Sequence, residues 1–217
     1  MALALFDLDN TLLGGDSDHA WGEFLCQKGI VDTEAYRSAN DHFYAAYQAG
    51  TLDIRAYLAF ALTPLIGEAP DTLAAWHQDF MRDYIAPMRL AKADALLDKH
   101  RQQGDTLLII TATNRFVTGP IAQWLGVENL LATEPAMEHG RYTGAVDGVP
   151  CFREGKVTRL NAWLADHQQT LDGSWFYSDS HNDLPLLEAV THPVAVDADA
   201  ELTRIATDRG WPRLSLR

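Results

Sequence analysis

An apolar run that ends in two acidic residues opens this chain and constrains its fold more than any other segment. Residues 2–6, Ala-Leu-Ala-Leu-Phe, are uniformly apolar, as in a parallel strand that is buried on both faces. The run passes directly into Asp7 and Asp9, and an extended backbone would point both side chains to the same side. Ligands of open α/β sheets bind beyond the carboxyl ends of the strands, so we expect two carboxylates at a ligand-binding crevice. A short acidic turn that caps a helix is the alternative interpretation.

The charge of the whole chain limits its partners. The net charge is −13 with His neutral, and it stays negative even if all eight His are charged. We therefore expect no nucleic-acid partner and no anionic membrane surface as a partner. A small anionic ligand would need a local cation, a Lys or helix amino termini to offset this field, and that requirement points to a bound metal.

Cysteine content and hydropathy favour an intracellular protein. Cys26 and Cys151 are too few for a disulfide framework or a zinc cluster. No apolar run approaches the roughly 20 residues that span a bilayer, and the N-terminal run lacks the basic flank of a signal peptide. We expect the protein to be cytoplasmic.

Apolar segments alternate with helical patterns after residue 86. The strand-like segments are residues 105–110, 129–133, 175–177 and 193–196, and the helical patterns between them include residues 87–103, with Ala91 and Ala95 on the inner face. Gly-rich turn signals predict a β-hairpin over residues 136–151. The alternation predicts an α/β fold with a doubly wound parallel sheet.

Residues 14–86 have a different pattern, with frequent aromatics and Ala at helical spacing and no β-branched runs. We expect four short helices here, the fourth with Asp71 as its N-cap. So many helices exceed an ordinary crossover connection. We therefore predict a core domain formed by residues 1–13 and 87–217, and an inserted all-helical domain, residues 14–86, over the strand ends.

Polar residues follow three of the predicted core strands. Besides Asp7 and Asp9, these are Thr111 and Ala112 after the second strand and Asp179 after the fourth, with Asn182 and Asp183 close behind. The helix after the hairpin begins with Glu154-Gly155-Lys156 and supplies a lysine. Because parallel strands end at one edge of a sheet, we expect these groups to meet there.

This set of motifs resembles the haloacid dehalogenase superfamily along nearly the whole chain. Asp7-x-Asp9-x-Thr11 matches its first motif, Thr111 its second, Lys156 its third, and Asp179 with Asp183 its fourth. The chain is most similar to subfamily IB, the phosphoserine-phosphatase-like proteins, and to the branch that includes a bacterial histidinol-phosphatase. The resemblance implies a Rossmann-like core with a first-type helical cap inserted after the first motif.

The resemblance also implies a magnesium-dependent phosphatase. Asp7, the backbone carbonyl of Asp9 and Asp179 would hold Mg²⁺. Asp183 would orient the waters of the metal or Lys156, or would itself ligate the ion. Asp7 would attack phosphorus and form an aspartyl phosphate, and Asp9 would act as general acid and then general base. The groups expected to bind the phosphoryl oxygens are Thr111, the amide of Ala112, Lys156 and Asn182.

The cap implies a small phosphate monoester as substrate, because caps of this kind close over small molecules. By analogy with phosphoserine phosphatases, Asp16 would hold a substrate amine and Arg55 a carboxylate. Asp16 could equally be the N-cap of the helix through Trp21, and Arg55 could be solvated. Histidinol phosphate is the first candidate, and phosphoserine or another amino-alcohol phosphate is the alternative. Both a monomer and a homodimer are compatible with the sequence.

Two other classes of function share part of this pattern. A phosphoacceptor signalling domain also combines acids, a Thr and a Lys on a doubly wound sheet, but it predicts no helical insert. A catalytically inactive binding scaffold would be expected to lack a member of the set, and Asp7, Asp9, Thr111, Lys156 and Asp179 are all present.

Overall fold

A predominantly parallel sheet forms the centre of the computed structural model, which describes residues 2–217. The seven strands lie in the order β4-β3-β2-β1-β5-β6-β7. Their bounds are β1 Leu3–Phe6, β2 Thr106–Asn114, β3 Asn129–Glu138, β4 Arg141–Asp147, β5 Trp175–Ser178, β6 His192–Val196 and β7 Arg213–Leu214. Only the β3–β4 pair is antiparallel. The predicted α/β fold with a parallel sheet is confirmed.

Nine α-helices surround or cap the sheet within the described residues. Their bounds are α1 Ser17–Gln27, α2 Thr33–Gln48, α3 Ile54–Ala61, α4 Pro70–Phe80, α5 Ala91–Gln103, α6 Arg115–Trp124, α7 Glu154–His167, α8 Leu184–Leu187 and α9 Ala200–Arg209. The two faces of β1 enter different cores, because Ala4 and Phe6 pack with α5 and α6 whereas Leu3 and Leu5 pack with α7, α8 and α9. This two-sided burial explains why the sequence of β1 is apolar throughout.

Helices α1 to α4 form a helical layer, called the cap below, between β1 and α5, and the chain departs from the sheet and returns to it at one point. Leu13 and Arg89 form an isolated antiparallel bridge, and the Gly14 amide donates to the Met88 carbonyl at 2.8 Å. Inside the layer, the ring of Trp21 packs against Phe24 and Phe80 with centroids 5.1 Å apart in both pairs. These buried rings explain the frequent aromatics of the segment.

Two details of the predicted helices are wrong. Helix α4 begins at Pro70 with Ala69 as its N-cap, so Asp71 lies in the first turn of the helix. Proline suits the first helical position because its φ is already helical and it has no amide hydrogen that would need an acceptor. Helix α5 begins at Ala91, because Arg89 is extended. Ala91 and Ala95 are exposed, and Ala93, Leu97 and His100 form the inner face instead.

The strands also differ in extent from the prediction. β2 continues to Asn114, and β3 runs directly into the hairpin with β4, which turns at His139 and Gly140, both with positive φ. The two-residue strand β7 was not predicted, because so short a segment has no periodicity. Among residues 2–217, none of the helices combines the length and the hydrophobicity needed to cross a membrane.

A buried polar chain ties helix α5 to the sheet at the edge remote from Asp7. His100 Nδ1 lies 2.8 Å from a carboxylate oxygen of Asp105, and Nε2 lies 2.9 Å from the Tyr177 hydroxyl. The Ala2 amide donates to the other Asp105 oxygen at 2.9 Å. Burial alone would raise the pKa of Asp105, but the bonds from His100 and Ala2 lower it below 3.8.

We expect Asp105→Asn to reduce the free energy of unfolding at pH 7 by about 1–2 kcal/mol, since it removes a charged hydrogen-bond acceptor. Because the folded pKa lies below the unfolded one, this stabilisation is present above about pH 4 and is lost as the pH falls through the folded pKa. Urea unfolding at pH 7 and pH 3 measures it. Asp166→Asn, at an exposed position, is the control. If the free energy of unfolding of wild type and of Asp105→Asn differed by the same amount at both pH values, the prediction would be contradicted.

Candidate active site

The predicted polar residues meet at one edge of the sheet because β1 lies between β2 and β5. Asp7 directly follows β1, Thr111 lies near the end of β2, and Asp179 follows β5. The Asp7 amide donates to the Tyr177 carbonyl at 2.9 Å, so the pairing of β1 with β5 continues up to the acidic residue. The register of neighbouring strands thus determines the position of each side chain.

Lys156 lies at the centre of this edge and connects two carboxylates. Its Nζ donates to Asp7 Oδ1 at 2.7 Å and to Asp183 Oδ2 at 2.8 Å, and all three side chains are buried. The Ser178 hydroxyl donates to the same Asp183 oxygen at 2.7 Å. Asp183 therefore orients Lys156.

The protonation states in this cluster depend on one another. Burial raises the pKa of Asp7 to about 7; Lys156 opposes this shift and the charge of Asp183 adds to it. Burial alone would lower the pKa of Lys156, but the charges of Asp183 and Asp7 and their hydrogen bonds raise it above its ordinary value. Lys156 is therefore a permanent cation in this cluster.

Asp179 is the carboxylate of the cluster without a basic partner. The Thr11 hydroxyl donates to Asp179 Oδ1 at 3.2 Å and accepts from the Asp179 amide at 3.0 Å. Burial, then the charges of Asp7 and Asp183, raise the pKa of Asp179 well above 3.8. Asp7 and Asp183 share Lys156, and a divalent cation beside Asp7 and Asp179 would balance the charge of the remaining carboxylate.

The oxygen donors at the strand ends suit a magnesium ion that is held by few protein ligands. Among residues 2–217, the one place where ligand atoms of three His, Cys, Asp or Glu side chains all lie within 4.8 Å of one another is His19, Glu23 and Asp41 at the cap surface. The strand ends therefore do not bring three carboxylates together. Two carboxylates, a backbone carbonyl and waters suit Mg²⁺, which keeps several of its waters in proteins.

Asp9 is held by two donors and lies in a different environment from Asp7. The Ser17 amide donates to Asp9 Oδ1 at 2.7 Å, and the Thr113 hydroxyl donates to Oδ2 at 2.8 Å. Burial, then the charge of Asp16, raise the pKa of Asp9 to about 6, although the bonds from Ser17 and Thr113 lower it. A carboxyl with this pKa can both donate and accept a proton near neutral pH.

The end of β2 is irregular. The pairing of β2 with β3 shifts register between Ile110 and Asn114. The Thr113 amide donates to the Thr111 hydroxyl at 3.2 Å. Thr133 on β3 supports this part of the strand, because its hydroxyl donates to the Ala112 carbonyl at 2.8 Å and accepts from the Cys151 amide at 3.0 Å.

Asn182 contacts the cap in this structure. Its side-chain amide donates to the Tyr47 carbonyl at 3.0 Å, and its oxygen accepts from Arg153 Nε at 3.1 Å. Arg153 also donates to the Gly50 carbonyl just after α2. These bonds connect the core to the cap above the strand ends.

A cavity extends from the strand ends into the cap. Its lining residues are Asp7, Asp9, Asp16, Asp18, His19, Asn40, Phe43, Tyr44, Tyr47, Leu52, Ile54, Tyr57, Thr111, Ala112 and Thr113. The wall is therefore acidic and aromatic, with no arginine or lysine among these residues. Lys156 lies beneath it, bonded to Asp7.

The two residues expected to hold a substrate amine and carboxylate have different positions. Asp16 lines the cavity and is also the N-cap of α1, since its Oδ1 accepts from the amides of Asp18 and His19. Arg55 is exposed on α3 and is not among the cavity-lining residues, because the helix turns Ile54 and Tyr57 inward instead. The structure therefore does not place Arg55 where it could bind a carboxylate in this cavity.

Several residues at the site were not predicted as site residues. Thr113, Ser178, Arg153 and Asp18 each contact a predicted residue or line the cavity. Thr113 lies two residues after Thr111 on the same strand, so the period-two rule could have found it. Arg153 and Asp18 depend on how the cap folds back, which no local pattern encodes.

We expect Gly155→Ala to destabilise the protein and displace Lys156. A Cβ atom at Gly155 would lie 2.0 Å from the Pro150 carbonyl oxygen, a backbone atom that cannot rotate away. The expected loss is about 1–3 kcal/mol of unfolding free energy. In the control Gly119→Ala the nearest atom lies 3.9 Å away inside helix α6, so stability should be unchanged or higher. Equal urea midpoints for Gly155→Ala and wild type would contradict the prediction.

Comparisons with known proteins agree with this geometry. The family model described as haloacid dehalogenase-like hydrolase matches residues 4–188. A histidinol-phosphatase of Neisseria meningitidis is 46% identical over 219 residues, which cover 99% of each chain. A solved structure from Bordetella pertussis, of a protein with unknown function, has 46% identity and a TM-score of 0.94, covering 100% of this chain and 99% of that one.

A more distant structure has the same fold. A phosphoserine phosphatase solved as a phospho-aspartyl intermediate analogue superposes with a TM-score of 0.72 at 15% identity, covering 100% of this chain and 93% of that one. The family match extends over most of the sequence and the close relatives over nearly all of it. The chain belongs to the haloacid dehalogenase-like hydrolases, a conclusion that agrees with the resemblance of its four motifs.

Proposed function

We propose that the chain is a magnesium-dependent phosphatase that hydrolyses histidinol phosphate through an aspartyl phosphate on Asp7. The observation that carries the proposal is the hydrogen-bonded pair of Asp7 and Lys156 at the strand ends, beside a cavity with an acidic and aromatic wall, with Asp179 after the neighbouring strand β5. The relative named histidinol-phosphatase, at 46% identity over nearly the full length of both chains, supports the substrate assignment.

Asp7 is the proposed nucleophile. Lys156 binds Oδ1, so the carboxylate is held in one orientation and its second oxygen can attack phosphorus. The attack forms the Asp7–phosphorus bond as the bond from phosphorus to the substrate oxygen breaks. The charge of Lys156 offsets the repulsion between the carboxylate and the phosphate dianion.

Asp9 is the proposed proton donor and acceptor. In its protonated form it gives a proton to the departing alkoxide; as a carboxylate it then takes a proton from the water that hydrolyses the aspartyl phosphate. Ser17 and Thr113 hold its two oxygens, so the carboxyl does not rotate between the two steps. Its raised pKa of about 6 makes both protonation states accessible near neutral pH.

The carboxyl-terminal part of β2 would bind the transferring phosphoryl group. The Thr111 hydroxyl and the amide of Ala112, both in this part of the strand, are the proposed donors to phosphoryl oxygens. Asn182 would join them if its amide left the Tyr47 carbonyl. A magnesium ion held by Asp7, the Asp9 carbonyl and Asp179 would supply positive charge for the phosphoryl oxygens.

The wall of the cavity favours histidinol phosphate over phosphoserine. Histidinol phosphate has an ammonium group and an imidazole ring but no carboxylate, whereas phosphoserine has a carboxylate. Asp16 and Asp18 would repel a carboxylate, and no arginine or lysine lines the described cavity to bind one. Aromatic side chains such as Phe43 and Tyr57 suit a planar ring.

We expect Asp7→Asn to reduce kcat for phosphomonoesters by at least about 10³-fold, because the amide cannot form the covalent intermediate. Turnover of p-nitrophenyl phosphate with and without Mg²⁺ is the measurement, and activity of the wild type should require the ion. Asp166→Asn, an exposed substitution, is the control. Undiminished turnover by Asp7→Asn would remove the proposed nucleophile.

We further expect kcat/KM for histidinol phosphate to exceed that for phosphoserine by at least about 10²-fold, given that a carboxylate would face two unneutralised acids. Steady-state release of inorganic phosphate from both compounds measures the ratio. A preference for phosphoserine would reject the substrate assignment and leave the phosphatase assignment intact.

A further inference from the structure

Asp18 is a cavity-lining carboxylate that the proposed reaction does not use. It lies in the first turn of α1, and its backbone amide donates to Asp16 Oδ1 at 3.0 Å. Its carboxyl group lines the cavity together with Asp9 and Asp16. The hydroxyls of Tyr57 and Thr113 are polar neighbours of this carboxyl. The Asp18 carboxyl group therefore lies in the cavity wall between the cap and the end of β2.

The two acids on this turn differ in what their carboxylates do. Asp16 uses Oδ1 to cap α1, because this oxygen accepts hydrogen bonds from two backbone amides. The carboxyl of Asp18 caps no helix and forms no ion pair with a lysine or arginine in the described residues. Asp18 is a half-buried carboxylate in an acidic cavity wall without a lysine or arginine partner among the described residues, so a compensating interaction would stabilise its charge.

A cation brought by the ligand is that interaction. His19 lies on the same wall, but its Nε2 is already 2.9 Å from Asp41. Aromatic rings flank this part of the cavity: the centroids of Phe43 and Tyr57 are 5.4 Å apart, and those of His19 and Tyr44 are 4.7 Å apart. A flat ring that carries N–H donors matches both the aromatic surfaces and the carboxylate.

We propose that Asp18 determines substrate specificity by binding the cationic nitrogen end of the substrate, the imidazole or ammonium N–H groups, while the phosphate lies at Asp7. This inference rests on the proposed function, which supplies a substrate with cationic nitrogens and no carboxylate. Asp18 is a binding residue in this account, since it does not touch the reacting phosphorus or its oxygens.

Binding of the reaction product tests the inference without turnover. We expect the Kd of histidinol, measured by calorimetry, to rise about 10- to 100-fold in Asp18→Asn, the range for losing a hydrogen bond to a charged group. Glu34→Gln, which removes an exposed carboxylate elsewhere on the cap, is the matched control and should bind as wild type. Tyr57→Phe removes one neighbour of Asp18 and should weaken binding less. Equal histidinol affinity in wild type and Asp18→Asn would overturn the proposal.

A pair of substrates separates specificity from a structural role. Aminoethyl phosphate and ethyl phosphate differ by one ammonium group, and we expect their kcat/KM ratio to fall at least tenfold in Asp18→Asn. A structural role would lower both values together, leave the ratio unchanged and reject the proposal. This readout does not use histidinol phosphate, so the two proposals fail separately. If histidinol phosphate is not hydrolysed but the ratio depends on Asp18, the substrate assignment fails and the role of Asp18 stands.

Discussion

The ion cluster of Lys156 with Asp7 and Asp183 is the interaction on which the rest of the site depends. It joins the end of β1, the first turn of α7 and the segment after β5, three parts of the chain that are distant in sequence. Removing one member of a buried ion pair typically costs about 3–5 kcal/mol, because the partner stays buried without compensation. Asp179 lies outside these ion pairs and has no basic partner among the described residues, and the proposed divalent cation would balance its charge.

The cap supplies what the strand ends lack. The core provides the fixed cation Lys156 beside Asp7, and the proposed reaction there uses no group that would distinguish one phosphate monoester from another. The helical layer adds a wall of acids and aromatic rings, and bonds from Asn182 and Arg153 to the carbonyls of Tyr47 and Gly50 hold this wall over the reacting groups. We infer that the residues at the strand ends carry out the reaction, whereas the first turn of α1, together with α2 and α3, selects the substrate.

The sequence was sufficient to predict the sheet and most of the strand-end residues, because each depends on a local pattern. Buried strands are apolar runs, and the acids that follow them must emerge at one edge. The inner face of α5, the start of α4 and the exposure of Arg55 were not predictable in this way, since small rotations of a helix change which residues face inward. Asp18 could not be distinguished from Asp16 by spacing either; the difference appears only when Asp16 is seen to cap α1.

Asp7 and Asp179 are proposed to bind one divalent cation between them. Thermal unfolding with and without Mg²⁺, for wild type and Asp179→Asn, tests it without any assay of activity. At an ion concentration of about 100 times the Kd, Mg²⁺ should add about 2.7 kcal/mol to the free energy of unfolding of the wild type. For a chain of this size, that corresponds to a rise in Tm of about 5–10 °C. The account predicts this rise in the wild type and little or none in Asp179→Asn. No rise in the wild type, or an equal rise in both proteins, would contradict it.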